Sequence, residues 1–297
     1  MEPQKQARQL DNWITENYYL SRIMLTQARL KKLLSYQQKK GRRQSHLFLV
    51  EGTRLTQEAL NSDWRVLELY YSRELNNSEN GTKLLKLGRE KKVSALEVQE
   101  KSIRKMAETE TPQGVVAVVE KKRFDLDQFL QQTPEFIIAI ENLKDPGNLG
   151  TIIRTADALG GDGIFLSSDS VELYNPKVVR GTMGSLFHLP IFYPVQLKEF
   201  LSGLKPKFQI LASVPSGGAN CSELDYSEPV CLLLGGEAFG LSDQILDLAD
   251  EKVSIPQLGS AESLNVSVAA GILMYEIVKY KKLRTKGQIL RKIPKEC

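Results

Sequence analysis

The sequence predicts an α/β chain: a parallel sheet covered by helices on both faces, preceded by a smaller α/β unit. Three observations predict it. The chain has 297 residues, about twice a typical domain length, so two domains are expected. From Glu135 to about Lys282, short apolar runs alternate with stretches of helical periodicity, the pattern of strands joined by crossover helices. Upstream, Val115-Val-Ala-Val-Val119 is a continuous β-branched run, the mark of a buried strand outside that repeat.

Taken in order, residues 1–45 read as a polar, basic N-terminal extension. It has a weak helical pattern in Leu20, Ile23, Met24, Leu30, Leu33 and Leu34, broken by Lys39-Lys-Gly41-Arg-Arg-Gln-Ser45. Residues 46–122 form the small α/β unit, with strands at 46–50, 66–71 and 115–119 and helices ending near Leu60 and Glu90. The polar stretch 123–134, after Lys121-Lys122-Arg123, reads as a linker. Residues 135–283 form the larger domain, with strands at 136–140, 163–166, 208–212, 230–234 and 252–255. Residues 284–297 read as a basic tail.

Composition narrows the class. With 41% hydrophobic and 26% charged residues, the chain reads as a globular protein able to bury a core without disulfide staples. Cys221, Cys231 and Cys297 have neither a pairing pattern nor metal-ligand spacing, and there are only two histidines, so no metal site is expected and a reducing cytoplasm is. No apolar run approaches the ~18 residues of a membrane span, and the polar N-terminus is unlike a signal peptide.

The net charge of +4 hides an uneven distribution. Residues 17–50 hold eight basic side chains (Arg22, Arg29, Lys31, Lys32, Lys39, Lys40, Arg42, Arg43) and no acidic one. Residues 277–295 hold another eight and no acidic one, leaving 24 basic against 36 acidic residues elsewhere. Basic segments flanking an acidic body are the electrostatic footprint of a polyanion binder. If six to eight of these cations contact phosphates, affinity falls roughly 10³-fold or more between 50 and 200 mM salt.

Three loops carry the chemistry. The first, Glu141-Asn-Leu-Lys-Asp-Pro-Gly-Asn148-Leu-Gly150, turns from a strand into a helix with an apolar stripe of Leu149, Ile152, Ile153, Ala156 and Leu159, capped by Gly160. Arg154 lies off that stripe, where it is either an ordinary surface arginine or placed to grip a phosphate. The second loop, Gly235-Gly236-Glu237-Ala-Phe239-Gly240-Leu-Ser242, has three glycines that imply unusual backbone angles or close approach of a ligand; Ser242 and Asp243 suit the start of a helix through Ala249. The third, Ile255-Pro-Gln-Leu-Gly259-Ser-Ala-Glu-Ser263-Leu264-Asn265, leads into a helix whose stripe is Val266, Ala269, Ala270, Leu273 and Ile277, with Ser263 a plausible N-cap.

In this order the loops closely resemble motifs 1, 2 and 3 of the SpoU (TrmH-like) family of RNA ribose 2′-O-methyltransferases, within the SPOUT superfamily. The stretches are Asn142–Gly160, Gly235–Leu241 and Ile255–Glu276, with Tyr174–Gly184 similar to the family's linking segment. Phe48–Glu120 resembles the family's small substrate-binding domain more loosely.

The resemblance implies a knotted parallel-sheet catalytic domain, S-adenosylmethionine as cofactor, RNA as substrate (ribosomal rather than transfer RNA) and a homodimer that builds the site at its interface. Carried over by residue, it implies cofactor binding by Gly235, Gly236, Ile255, Gly259 and Leu264, and catalytic roles for Asn148, Arg154, Glu237, Ser263 and Asn265. The family's second motif usually reads Gly-Asn-Glu; here Gly236 replaces the asparagine. The alternative is a non-catalytic RNA-binding scaffold of the same fold acting in ribosome assembly. A nucleotide-binding oxidoreductase or a Rossmann-type methyltransferase is disfavoured, because no Gly-x-Gly-x-x-Gly follows a strand.

Overall fold

The computed structural model describes residues 25–205 and 207–283. The chain divides into two compact units, one ending at Lys122 and the other beginning at Arg123. No helix among the described residues is long and apolar enough to cross a membrane.

The first unit is built on a four-stranded sheet of β1 (Leu47–Glu51), β2 (Val66–Tyr71), β3 (Ser94–Glu97) and β4 (Val115–Glu120), in the order β1-β4-β2-β3. β4 lies antiparallel to both β1 and β2, and β3 lies parallel to β2. β4 is buried from Val115 to Val119, as its β-branched run predicts.

The expected boundary at residue 45 falls inside this unit. Helix α1 (Gln27–Ser35) and the helical turn α2 (Lys39–Arg43) precede β1. Thr26 caps α1, its hydroxyl accepting from Arg29 N. Leu30, Leu33 and Tyr36 are buried against Tyr70, Ile103, Met106, Val116 and Val118, so the weak leucine pattern is a packing stripe and not part of a free extension. Leu20, Ile23, Met24 and Arg22 lie outside the described residues, as does the expected tail 284–297. Helices α3 (Thr53–Asn61), α4 (Arg73–Asn76), α5 (Glu79–Glu90) and α6 (Glu100–Met106) complete the unit.

The second unit opens with α7 (Leu126–Gln131), in the middle of the expected linker. Phe129 is buried against Phe165 and Phe192, and Phe124 packs on the same cluster, so this segment belongs to the core. Seven parallel strands follow: β5 (Phe136–Glu141), β6 (Gly163–Ser167), β7 (Ile191–Val195), β8 (Gln209–Ser213), β9 (Ala219–Asn220), β10 (Val230–Gly235) and β11 (Glu251–Ser254). Their order is β7-β6-β5-β10-β8-β11-β9. β5, β6 and β10 are buried almost throughout, as strands covered on both faces must be.

Between the strands lie α8 (Pro146–Leu159), α9 (Pro176–Gly181), α10 (Leu197–Leu204) and α11 (Asp243–Leu246), with α12 (Val266–Val278) after the last strand. Gly160 ends α8 in the left-handed conformation (φ 71°) that its C-cap position predicts. α11 is far shorter than the helix expected through Ala249.

Candidate active site

All three motif loops leave the carboxyl ends of strands. β5 and β10 are neighbours, with Gly235 opposite Glu141, so the first two loops start side by side. From β5 the sheet runs through β6 and β7 one way and through β10, β8 and β11 the other. Such a reversal is the point at whose strand ends parallel α/β sheets bind ligands.

Hydrogen bonding then ties the loops together. Asp145 caps α8, its Oδ1 accepting from Asn148 N at 2.7 Å, and Pro146 occupies the first turn, where no N–H is needed. Glu237, from the second loop, accepts from Asn148 Nδ2 at 2.8 Å and from the backbone N–H groups of Lys144 (3.3 Å) and Asp145 (3.4 Å). Asn148 Oδ1 in turn accepts from Asn265 Nδ2 at 3.0 Å. Asn265, Asn148 and Glu237, drawn from motifs 3, 1 and 2, thus form one directional chain.

Burial raises the affinity of the Glu237 carboxyl for a proton, but the hydrogen bonds from Asn148 and from backbone N–H groups outweigh it and hold the group below the usual carboxylate range. Glu237 is therefore an ionised organiser at neutral pH.

A second carboxylate completes the tie from the other side. Glu141, at the end of β5, accepts from Ser242 N at 2.7 Å and Ser242 Oγ at 2.8 Å. Each loop thus contributes a carboxylate that holds the other. Sequence reading missed Glu141, because no local pattern reveals a bond across 101 residues.

The structure does not join every expected residue to this chain. Arg154 is exposed on the outer face of α8 and makes no hydrogen bond or ion pair among the described residues. Ser263 is exposed and is not the cap of α12. Asn265 is, its Oδ1 accepting from Ser267 N at 2.9 Å and Val268 N at 3.4 Å. On the buried face of α12, Ala270, Leu273 and Ile277 are joined by Met274, while Val266 and Ala269 are half-buried.

The glycines divide by physical cause. Only Gly240 of the second loop has a positive φ, 65°. A Cβ on Gly235 would lie 2.2 Å from the carbonyl carbon of Gly240, and one on Gly236 would lie 2.1 Å from the carbonyl oxygen of Asn142. Both therefore serve backbone-to-backbone packing.

The surroundings suit a small ligand with an apolar face and hydrogen-bonding edges, as S-adenosylmethionine has. In 255–264, no backbone N–H donates to a backbone carbonyl among the described residues. Phe239 is 85% exposed and Leu258 fully exposed, with Leu264 also uncovered. Gln257 Nε2 donates to Pro215 O at 3.2 Å, whereas its buried Oε1 has no partner. Ile255 is half-buried and Gly259 exposed.

Known proteins resemble the chain along most of its length. Residues 135–275 match the SpoU rRNA Methylase family, and residues 27–117 match the MRM3-like substrate binding domain. An uncharacterised tRNA/rRNA methyltransferase of Synechocystis is 36% identical over 255 residues, spanning 83% of this chain and 89% of that protein. A 23S rRNA (guanosine-2′-O)-methyltransferase of Bacillus subtilis is 34% identical over 80% of this chain and 91% of its own length. Among solved structures, the AdoMet-bound rRNA methyltransferase from Sinorhizobium meliloti superposes with a TM-score of 0.77 at 33% identity, covering 87% of this chain and 96% of that one.

Fold and site together define the class: a SPOUT-type, S-adenosylmethionine-dependent RNA methyltransferase domain following a substrate-binding domain. The chain belongs to the SpoU rRNA methylase family.

Proposed function

We propose that this chain methylates a ribose 2′-hydroxyl of ribosomal RNA. The observation that carries the reading is the chain Asn265–Asn148–Glu237, which joins three loops at the strand ends through side chains expected to be catalytic. Ribosomal RNA is favoured over transfer RNA by the match to the SpoU rRNA Methylase family and by the Bacillus subtilis relative named for 23S rRNA.

When bound, S-adenosylmethionine supplies a methyl carbon on a sulfonium sulfur that is already a good leaving group. The protein's task is then orientation and release of the nucleophile's proton. Gly235, Ile255 and Leu264 hold the cofactor through backbone groups, with Gly236 and Gly259 shaping the adjacent loops. Glu237, ionised, fixes the Asn148 amide, which fixes Asn265. Arg154 grips the phosphate beside the target ribose and presents the hydroxyl in line with the methyl carbon. Its guanidinium hardly deprotonates, so it positions and does not act as the base. Ser263 contributes a hydroxyl from the third loop. Methyl transfer would form the ribose O–C bond as the C–S bond breaks, releasing S-adenosylhomocysteine, and the hydroxyl proton would pass to solvent water while Arg154 holds the hydroxyl in place.

The proposal includes a trefoil knot at the C-terminal segment, a homodimer and a cytoplasmic location. The dimer is supported by α12, apolar on nearly every side, whose outer face leaves Val268 51% and Tyr275 50% exposed with Ile272 between them. α12 packs on α8, Gly271 facing the Thr155 side chain, so the uncovered stripe lies beside the helix that carries Arg154. The cytoplasm is supported by cysteines without a pairing pattern.

The test is tritiated S-adenosylmethionine with separate pools of unmodified ribosomal and transfer RNA, the label mapped in alkali-resistant dinucleotides. Label in ribosomal RNA at a 2′-O-methyl linkage is expected. Label only in transfer RNA, or on a base, would overturn the proposal.

A further inference from the structure

The basic N-terminal stretch divides into cations with a structural task and cations without one. Arg29 is paired with Glu68 and donates to Tyr70 Oη at 3.2 Å, tying α1 to the sheet. Arg42 is buried, its Nη1 donating to the carbonyl oxygens of Tyr36 (3.2 Å) and Gln37. The carbonyl of Arg42 accepts from Lys121 Nζ at 2.7 Å. Gly41 permits the tight approach beneath, since a Cβ there would lie 2.0 Å from Ser35 O. The turn Lys39–Arg43 is therefore pinned through its own arginine to α1 and to the end of β4.

Pinning leaves Lys39, Lys40 and Arg43 exposed, and none of their side chains has a hydrogen-bonding or ion-pair partner among the described residues. Acids around the adjoining strand end are already occupied. Glu120, which precedes Lys121, pairs with Arg65 at 3.3 Å, and Asp63 pairs with Lys122. No acidic residue occurs in sequence between Asn17 and Val50.

We infer that Lys39, Lys40 and Arg43 form a preorganised contact for the phosphodiester backbone of the RNA substrate. The inference rests on the RNA-methylating reading and narrows its binding surface to three side chains. An unpaired cation engages phosphate without first breaking an ion pair, and a turn already held by Arg42 loses little backbone entropy on binding. Arg43 adds a planar fork that matches two phosphate oxygens. Such contacts fix register and supply affinity, and they read no base.

The experiment titrates full-length protein against a fluorescent fragment of ribosomal RNA between 50 and 200 mM salt. It compares wild type, the triple variant Lys39→Gln/Lys40→Gln/Arg43→Gln, and Lys86→Gln as a control on another helix of the same unit. The triple variant should lose about two to three units from the slope of log affinity against log salt, from 0.7–0.9 per phosphate contact. S-adenosylmethionine affinity by calorimetry and Tm should stay at wild-type values. Arg42→Lys keeps the charge but replaces Nη1, which donates to both carbonyls, with an ammonium on a shorter side chain, so it should weaken binding several-fold with little change of slope. Wild-type slope and affinity in the triple variant would overturn the contact, and wild-type affinity in Arg42→Lys would overturn the preorganisation. Failure of the functional reading shows differently: wild type then binds RNA with the full slope yet transfers no methyl group.

Discussion

Restoring the family's usual asparagine at Gly236 should harm this protein. A Cβ at this position would stand 2.1 Å from the carbonyl oxygen of Asn142 and 2.8 Å from its carbonyl carbon. Real Cβ contacts essentially never fall under 3.0 Å, so in a close-packed site one loop must retreat by about 1 Å.

Neither loop is free to do so. Asn142 sits at φ 54°, its N–H donates to Ser167 Oγ at 3.0 Å, and the next residue is held by Leu143 N to Ser170 Oγ (3.1 Å) and Val171 N to Leu143 O (2.7 Å). The second loop is held by Gly240 N to Gly236 O at 3.0 Å and by the Glu141–Ser242 bonds.

Forcing side-chain atoms into such a contact costs about 1–3 kcal/mol. At about 2–4 °C per kcal/mol for a unit of this size, Gly236→Ala and Gly236→Asn should each lower Tm by roughly 2–12 °C. Since Glu237 is the next residue, S-adenosylmethionine affinity should fall with it. Calorimetry gives both quantities. Gly259→Ala is the control, because a Cβ there meets nothing within 4 Å and should leave Tm unchanged. A Gly236→Asn protein with wild-type Tm and cofactor affinity would refute the idea that the two loops are locked backbone to backbone.

Other predictions follow from the same geometry. Arg154→Ala should slow single-turnover methylation more than tenfold, about 1.4 kcal/mol or more, with Tm unchanged, because the exposed side chain has no hydrogen bond or ion pair to lose among the described residues. Glu237→Gln places a donor among the N–H groups of Lys144, Asp145 and Asn148, and should weaken S-adenosylmethionine binding by about 1–2 kcal/mol in calorimetry. Burial disfavours the charged form of Glu68, but hydrogen bonds from Arg29 and Tyr70 prevail and hold the carboxyl below its ordinary value. A depressed folded-state value means the stabilisation is present at neutral pH and lost as pH falls through that value. Glu68→Gln should therefore lower Tm at pH 7, by an amount equivalent to about 1–2 kcal/mol, with the gap to wild type closing below about pH 4. Gly150→Ala should destabilise the second unit by about 1–3 kcal/mol in denaturant melts, because its Cβ would lie 2.7 Å from the Gly181 α-carbon where α8 meets α9.

What the residues determined by themselves is local. Buried β-branched and apolar runs locate β5, β6 and β10 to within a residue or so, because a strand covered on both faces must be apolar throughout. The Pro146-Gly147 turn marks the start of α8, because proline has no N–H to lose in a first turn. The family motifs were equally readable, since each is a short contiguous stretch.

Tertiary structure decided what depends on partners distant in sequence. β3, with its exposed ends, and β7, which contains Pro194, are strands because of the neighbours they pair with. The polar stretch after Lys122 reads as a linker until Phe129 finds Phe165 and Phe192. Ser263 and Asn265 are both good caps by composition, and only the path of the loop selects Asn265. The site has the same origin. Asn265 meets Asn148 across 117 residues and Ser242 meets Glu141 across 101, brought together because parallel strands deliver their following loops to one end of the sheet.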